Sequence, residues 1–326
     1  QAEFDWGDQP AFKMQGKLSQ FDPARWVKAP QGRIDGEFVA AGTWHPEWQV
    51  QLSVPHVSGE LAGQVLNGVA QVHWQAERML KVDQMQWQWG RNTLQANGSL
   101  GADKDELRLS LAVDEPHLLT PFLSQTVSGR ANFQATLRGK LTTPSVEAQV
   151  QAEDVQWGRA AKLAYLKASA SLGAGANAAL NLQLHAQRLR WNLPPASGTG
   201  SLAKLDEGND SLRELRIDMQ GVRAAHRIVA QAQWDGGQSV SVKASGKIDL
   251  PTWSSPAWSG RIDAAQLMGF VGGAEPDLVL HEPGLLSWSL DKFTLGAVNL
   301  QGQLGQINLD LLEWAPRSLS SKGRWQ

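Results

Sequence analysis

Alternation of apolar and polar residues governs this chain. In Val146-Glu147-Ala148-Gln149-Val150-Gln151-Ala152-Glu153 every second residue is apolar and its neighbours are polar. Residues 180–187 repeat the pattern, and looser versions run through 107–113, 228–234, 240–244 and 298–304. Successive side chains of a strand point to opposite faces, so each segment carries one apolar and one wet face. Strands of this kind build antiparallel, half-exposed sheets; the strands of a buried parallel sheet are apolar throughout. Period two therefore groups Val146, Ala148, Val150 and Ala152 on one face, Leu180, Leu182, Leu184 and Ala186 on one face, and Val240, Val242 and Ala244 on one face. Candidate helices are short: residues 116–123, 159–167 and 264–271. None can cover a sheet, and an uncovered apolar face must be buried on another sheet, on itself or on a ligand.

Two repeats refine the expectation. Glycine, a polar residue and then Leu or Ile recur at Gly16-Lys17-Leu18, Gly98-Ser99-Leu100, Gly139-Lys140-Leu141, Gly246-Lys247-Ile248 and elsewhere. Glycine inside a strand pattern marks a bulge, a bend or a close backbone approach, and regular glycines curve a sheet. The second repeat is a phase slip. In 150–157, 184–191 and 80–87 two polar residues interrupt the alternation, which resumes in the opposite phase and ends in Trp. Residues 288–295 keep the slip with other side chains. One inserted residue is the signature of a β-bulge, which returns the following apolar residues to the same face. Val155 with Trp157, and Leu189 with Trp191, should thus rejoin the apolar face. Repeats of one supersecondary unit predict an elongated, curved, all-β chain.

Composition excludes several functions. Lys plus Arg number 30 against 32 Asp plus Glu, without a basic run, so the chain is not a nucleic-acid binder driven by bulk charge. Cysteine is absent, which removes disulfides, thiolate nucleophiles and cysteine metal sites and fits a bacterial envelope protein. No stretch reaches the roughly 18 apolar residues of a membrane helix. Gln1-Ala2-Glu3-Phe4-Asp5 does not read as a signal peptide. The chain reads as a mature product or an internal piece, with any membrane anchor of the full protein elsewhere. A single Tyr and the absence of a ten-residue rhythm argue against an outer-membrane barrel.

Nothing in the sequence assembles a reaction centre. The seven His residues are scattered, each expected at the surface or a strand end. Gly173-Ala174-Gly175 precedes an alternating strand where a phosphate cradle needs a helix, so it reads as a hairpin turn. Ala102-Asp103-Lys104-Asp105-Glu106 is too short for a calcium loop and reads as a hairpin tip. The expectation is a protein without enzymatic activity, metal or cofactor. The 15 Trp residues, with the pairs Trp44/Trp48, Trp87/Trp89 and Trp253/Trp258, suit either a carbohydrate platform or the rims of an apolar cleft; the rim reading is favoured.

The stretch from Leu137-Arg138-Gly139-Lys140-Leu141 through Pro144 and the alternating strand to Trp157-Gly158 resembles a recurrent element of the TamB family, the translocation and assembly module proteins of Gram-negative bacteria. Residues 221–246, and Trp258-Ser259-Gly260-Arg261-Ile262 with 286–293, add to the likeness, which is close over about 120–326. Related AsmA-like proteins match nearly as well. The resemblance implies β-taco repeats, looser over 1–115 and closer over 116–326, in one elongated domain. It also implies a periplasmic bridge whose groove carries phospholipid acyl chains between the membranes, with the full-length protein anchored in the inner membrane. A TamA-type outer-membrane barrel would be a partner through regions outside this chain. The groove lining implied is Val146, Ala148, Val150, Ala152, Val155, Trp157, Leu180, Leu182, Leu184, Ala186, Leu189, Trp191, Val240, Val242 and Ala244. The alternative is a scaffold or chaperone that pairs edge strands with outer-membrane clients.

Overall fold

A computed structural model describes the chain apart from residues 8–9, 46, 124, 176, 192–210, 250–254, 274 and 317. The fold is all-β. Two units divide it, Gln1–Arg159 and Ala160–Gln326. The first holds β1 (Ala2–Asp5), β2 (Ala11–Phe21), β3 (Gly32–Thr43), β4 (Gln49–Leu61), β5 (Gln64–Gln75), β6 (Met79–Trp89), β7 (Asn92–Leu100), β8 (Glu106–Val113), β9 (Val127–Arg138) and β10 (Ser145–Trp157). Each strand pairs antiparallel with the next, a meander joined by short connections. The second unit repeats the plan with β11 (Ala161–Leu172), β12 (Ala179–Trp191), β13 (Ser211–Val222), β14 (Ala225–Trp234), β15 (Ser239–Asp249) and β16 (Ala257–Met268). Then come β17 (Leu278–Glu282), β18 (Gly284–Ser289), β19 (Phe293–Gly302), β20 (Gly305–Ala315) and β21 (Ser318–Trp325). β17 and β18 flank Pro283 and together fill the place of one strand between β16 and β19.

Two of the four expected phase slips are bulges with a register shift. The β10–β9 register shifts between Glu153 and Gln156. Asp154 there has φ 50°, and Gly129 opposite has φ 104° with its Cα against the backbone of Asp154 and Val155, where a Cβ would meet Val155 Cα at 2.7 Å. Only glycine suits that approach. The β6–β7 register shifts between Val82 and Met85. On β12 the third slip is a local kink without a register shift: Arg188 has φ 52°, the pairing with β11 and β13 stays in register on both sides of it, and Gln187 and Arg188 are both exposed between buried Ala186 and half-buried Leu189. The fourth is different: Trp288 pairs with Phe293 and Ser289 N–H donates to the Lys292 carbonyl at 2.7 Å, so Leu290-Asp291-Lys292 is a hairpin turn.

Of the expected helices, residues 116–123 correspond to a 3-10 helix, Pro116–Phe122. Residues 159–167 and 264–271 are instead a turn leading into β11, and the end of β16 with the turn after it. Their alanines favour helix weakly, and the ladders to β12 and β15 override that preference. Both suspected hairpins are present. Gly173 N–H reaches the Ala179 carbonyl at 2.9 Å, and Asp105 accepts from Ala102 N–H at 3.0 Å.

Candidate functional site

Register turns the sequence pattern into surfaces. Residues directly opposite each other on neighbouring strands share a face. In the first unit one such row runs Met14, Ala40, Leu52, Val72, Val82, Gly98, Leu107, Leu137, Val146 across β2 to β10. Another runs Leu18, Gly36, Val57, Gly68, Trp87, Leu94, Leu111, Phe133, Val150. In the second unit, Ala168, Leu184, Ile217, Ala230, Val242 and Ala265 form one row, and Ala170, Leu182, Met219, Ile228, Ala244 and Ile262 the next. None of these rows contains a charged residue.

The opposite face is its complement. There Lys167, His185, Arg216, Gln231, Ser241 and Gln266 stand in register. Arg138 bridges Glu106 at 2.7 Å and Glu147 at 3.0 Å, Arg130 meets Glu153 at 2.8 Å, and Glu214 takes both Arg216 and His185 at 2.7 Å. The Arg138 guanidinium holds the Glu106 carboxyl below the usual carboxylate range, and Arg216, then His185, do the same for Glu214.

Within each unit, register places the residues expected to line the apolar face as follows. Val146, Ala148, Val150 and Ala152 oppose Leu137, Ala135, Phe133 and Ala131. Leu180, Leu182, Leu184 and Ala186 oppose Leu172, Ala170, Ala168 and Leu166. Val240, Val242 and Ala244 oppose Ala232, Ala230 and Ile228. Beyond the slips Val155, Leu189 and Trp191 are half-buried, while Trp157 is 41% exposed at the strand end.

The apolar face is only partly covered by the protein itself. Most of its side chains are half-buried, and the fully buried cluster is small: Val82, Ala96, Leu100 and Leu107. The chain exposes 20845 Å². Two compact globular proteins of half its mass would together expose about 16,000 Å². An uncovered apolar face of half-buried side chains marks a place for a partner or ligand.

Tryptophan frames the face. Apart from Trp253, which lies outside the described residues, and Trp26 on the β2–β3 loop, every Trp sits within two residues of a strand end. At one end of the second unit Ile248, Trp258, Trp288, Phe293, Trp314 and Leu319 form a continuous row. At the first unit's start Trp6, Trp44, Trp48, Phe4 and Phe12 make a chain of ring contacts.

Two polar groups stand on the apolar side, and neither is evident in the sequence. His226 stands at the start of β14, the strand-end alternative of the expectation, and is buried. Its Nε2 accepts from Trp258 Nε1–H at 2.7 Å and its Nδ1 lies 3.1 Å from the Val222 carbonyl, which fixes the Nδ1–H tautomer. The Trp258 ring reaches His226 by lying over Gly246 and Gly260, where a Cβ would collide with it. The glycines two residues before Ile248 and two residues after Trp258 are the sequence trace of this arrangement. Asn92 exchanges hydrogen bonds with the Glu115 backbone at 2.8 and 3.1 Å, tying down the 3-10 helix whose Leu118 is buried.

Among the described residues no group of three or more His, Asp or Glu residues is arranged to hold a metal ion. No described helix is long and apolar enough to cross a membrane.

Comparison with known proteins adds three findings. The family model described as "TamB, N-terminal domain" matches residues 1–277. A curated relative, the translocation and assembly module subunit TamB of Haemophilus influenzae, is 21% identical over 235 residues, covering 70% of this chain and 16% of the relative. This chain thus spans about a sixth of the curated relative it matches. No solved structure matches.

Proposed function

This chain belongs to the TamB family, and we propose that its apolar face binds phospholipid acyl chains as part of a periplasmic bridge between the inner and outer membranes. The observation that supports this reading is the set of register rows: up to nine strands deep, uncharged, half-exposed and uncovered by helices. A chain of roughly fourteen methylenes laid on such a surface gains at most about 11 kcal/mol, at about 0.8 kcal/mol per buried CH₂. Rows of similar chemistry offer similar affinity from strand to strand, so a bound chain moves without a deep trap. The role is binding and conduction, without catalysis, metal or cofactor. The full-length protein is anchored in the inner membrane by segments outside this chain.

The test is native mass spectrometry of the purified chain. Phospholipid bound at low multiplicity, exchangeable and displaced by detergent, supports the proposal. A chain that neither carries phospholipid nor takes it up from vesicles contradicts it.

A second reading has its own support. The curated relative is named as a subunit of a translocation and assembly module. On that reading the protein helps assemble outer-membrane proteins with a TamA-type barrel, by strand pairing at a sheet edge. Crosslinks from edge-strand backbone positions to a client barrel, without lipid on the apolar face, would favour it.

A further inference from the structure

The β2–β3 loop, like the β8–β9 connection, is built around a 3-10 turn. Asp22 closes its base, accepting from Ala24 N–H at 3.2 Å and from Gly32 N–H at 3.1 Å. A 3-10 turn, Pro23–Arg25, follows, and the Trp26 and Val27 N–H groups both return to the Pro23 carbonyl at 3.0 and 3.1 Å. The loop backbone is therefore largely satisfied from within, and prolines at 23 and 30 stiffen both arms. On this fixed frame Trp26 is 77% exposed and Val27 63% exposed. Folding alone does not explain two large apolar side chains side by side in water.

The neighbours of that tip are cationic. Arg25 precedes it and Lys28 follows it, both exposed. Arg25 Nε lies 3.7 Å from Asp22 Oδ2, the loop-base amides taking Oδ1, and the Arg25 side chain is exposed. Lys28 has no ion pair among the described residues. Behind the tip, a polar cleft of about 860 Å³ is lined by Gln20, Arg25, Gln31, Arg33 and Glu60. An apolar Trp–Val wedge flanked by basic side chains suits the boundary of an anionic bilayer. There the indole sits at headgroup level, the aliphatic side chain enters the acyl region and the cations meet phosphates. A second exposed aromatic group, Phe4, Trp6 and Trp48, has the opposite surroundings, with Glu3, Asp5 and Glu47 beside it, and its rings are linked through Trp44.

We infer that the β2–β3 loop is a docking hook for an anionic phospholipid bilayer, with Trp26 and Val27 inserting and Arg25, Lys28 and Arg33 facing lipid phosphates. This surface is separate from the apolar sheet face and stands whether or not that face carries acyl chains.

The chain has no cysteine, so a single probe can be placed cleanly. Val27→Cys, labelled with an environment-sensitive fluorophore, is mixed with phosphatidylethanolamine vesicles containing a minority of phosphatidylglycerol. Gln71→Cys, exposed in mid-β5, is the control. The expected result is a blue shift at position 27 and none at 71, weaker in high salt and absent with phosphatidylcholine vesicles. In vesicle co-sedimentation, Arg25→Glu with Lys28→Glu should weaken binding of the unlabelled chain by at least tenfold, since each basic residue near an anionic surface is worth about a fivefold change in affinity. Trp26→Ser should weaken it similarly while leaving the melting curve unchanged. An unshifted probe at 27 overturns the inference. So does equal binding of the charge-reversed chain, or binding lost on substituting Trp6 and Trp48 but kept in Trp26→Ser. Capture of acidic protein in place of vesicles overturns it as well.

Discussion

Replacing Leu182 with aspartate places one charge in the middle of the apolar face of the second unit. Leu182 pairs with Ala170 on one side and Met219 on the other, and Ile228, Ala244 and Ile262 continue the row. No cation stands in that row to accept the carboxylate. The cost to the fold is modest. Leu182 is half-buried, so removing it forfeits part of the roughly 1.5–3 kcal/mol that full burial of a leucine contributes, and the open face lets water reach the new charge. A loss of about 2 kcal/mol leaves a domain of ordinary stability, about 5–15 kcal/mol, folded. The cost to a bound acyl chain is larger. Covering the carboxylate with hydrocarbon strips its water, a penalty of several kcal/mol per ion. Even about 3 kcal/mol slows passage across that row about a hundredfold. The assay uses the variant in the full-length protein, with a photo-crosslinker at Val242 in the neighbouring row to capture lipid. Captured lipid should fall by at least tenfold, and outer-membrane integrity should fail. Gln183→Asp, one residue away on the wet face, should change neither. A folded Leu182→Asp protein with undiminished lipid capture would refute the reasoning.

Other outcomes follow from named contacts. Gly246→Val drives a side chain into the Trp258 ring and should lower stability by about 1–3 kcal/mol, read as a fall of several degrees in melting temperature. His226→Ala should destabilise by a similar amount by orphaning the buried Trp258 N–H, whereas Ala at His45, His56 or His281 should leave both melting and function unchanged; loss of function at any of those three with the fold intact would point to chemistry overlooked. Glu106 and Glu214 have folded-state pKa values below their unfolded values, so their stabilisation is present above the unfolded value and lost as pH falls through the folded one. The melting temperature should therefore be flat near neutrality and drop below about pH 4.5, the ordinary glutamate value; Glu106→Gln should flatten that drop, most visibly at low salt, and an unchanged acid limb would contradict the assignment.

Much of the fold was legible because one physical rule sets both sequence and structure. A side-chain period of two makes register and face the same statement, so Val146 to Ala152 and Leu180 to Ala186 declare their side before any pairing is known. The bulge at Asp154 and the kink at Arg188 were legible because a slip of one residue leaves two polar residues in succession. The same signature misled at Leu290-Asp291-Lys292, where the polar pair belongs to a turn. Pattern alone does not separate a bulge from a tight hairpin; chain reversal depends on which strand lies next. The segments 159–167 and 264–271 misled for a related reason, since local alanine content speaks for helix and the ladder that overrules it is non-local. The Trp258–His226 contact was illegible because it spans 32 residues and relies on two glycines whose missing side chains make room for the ring.

The central claim is that the apolar rows meet acyl chains in the cell. It is tested most directly by placing a photo-activatable amino acid in the full-length protein at Leu182 or Val150, and at their wet-face neighbours Gln183 or Gln151, then irradiating living cells and identifying adducts by mass spectrometry. The account predicts phospholipid adducts at Leu182 and Val150 and none above background at Gln183 and Gln151. Lipid absent from all four positions, or captured equally at all four, would contradict it.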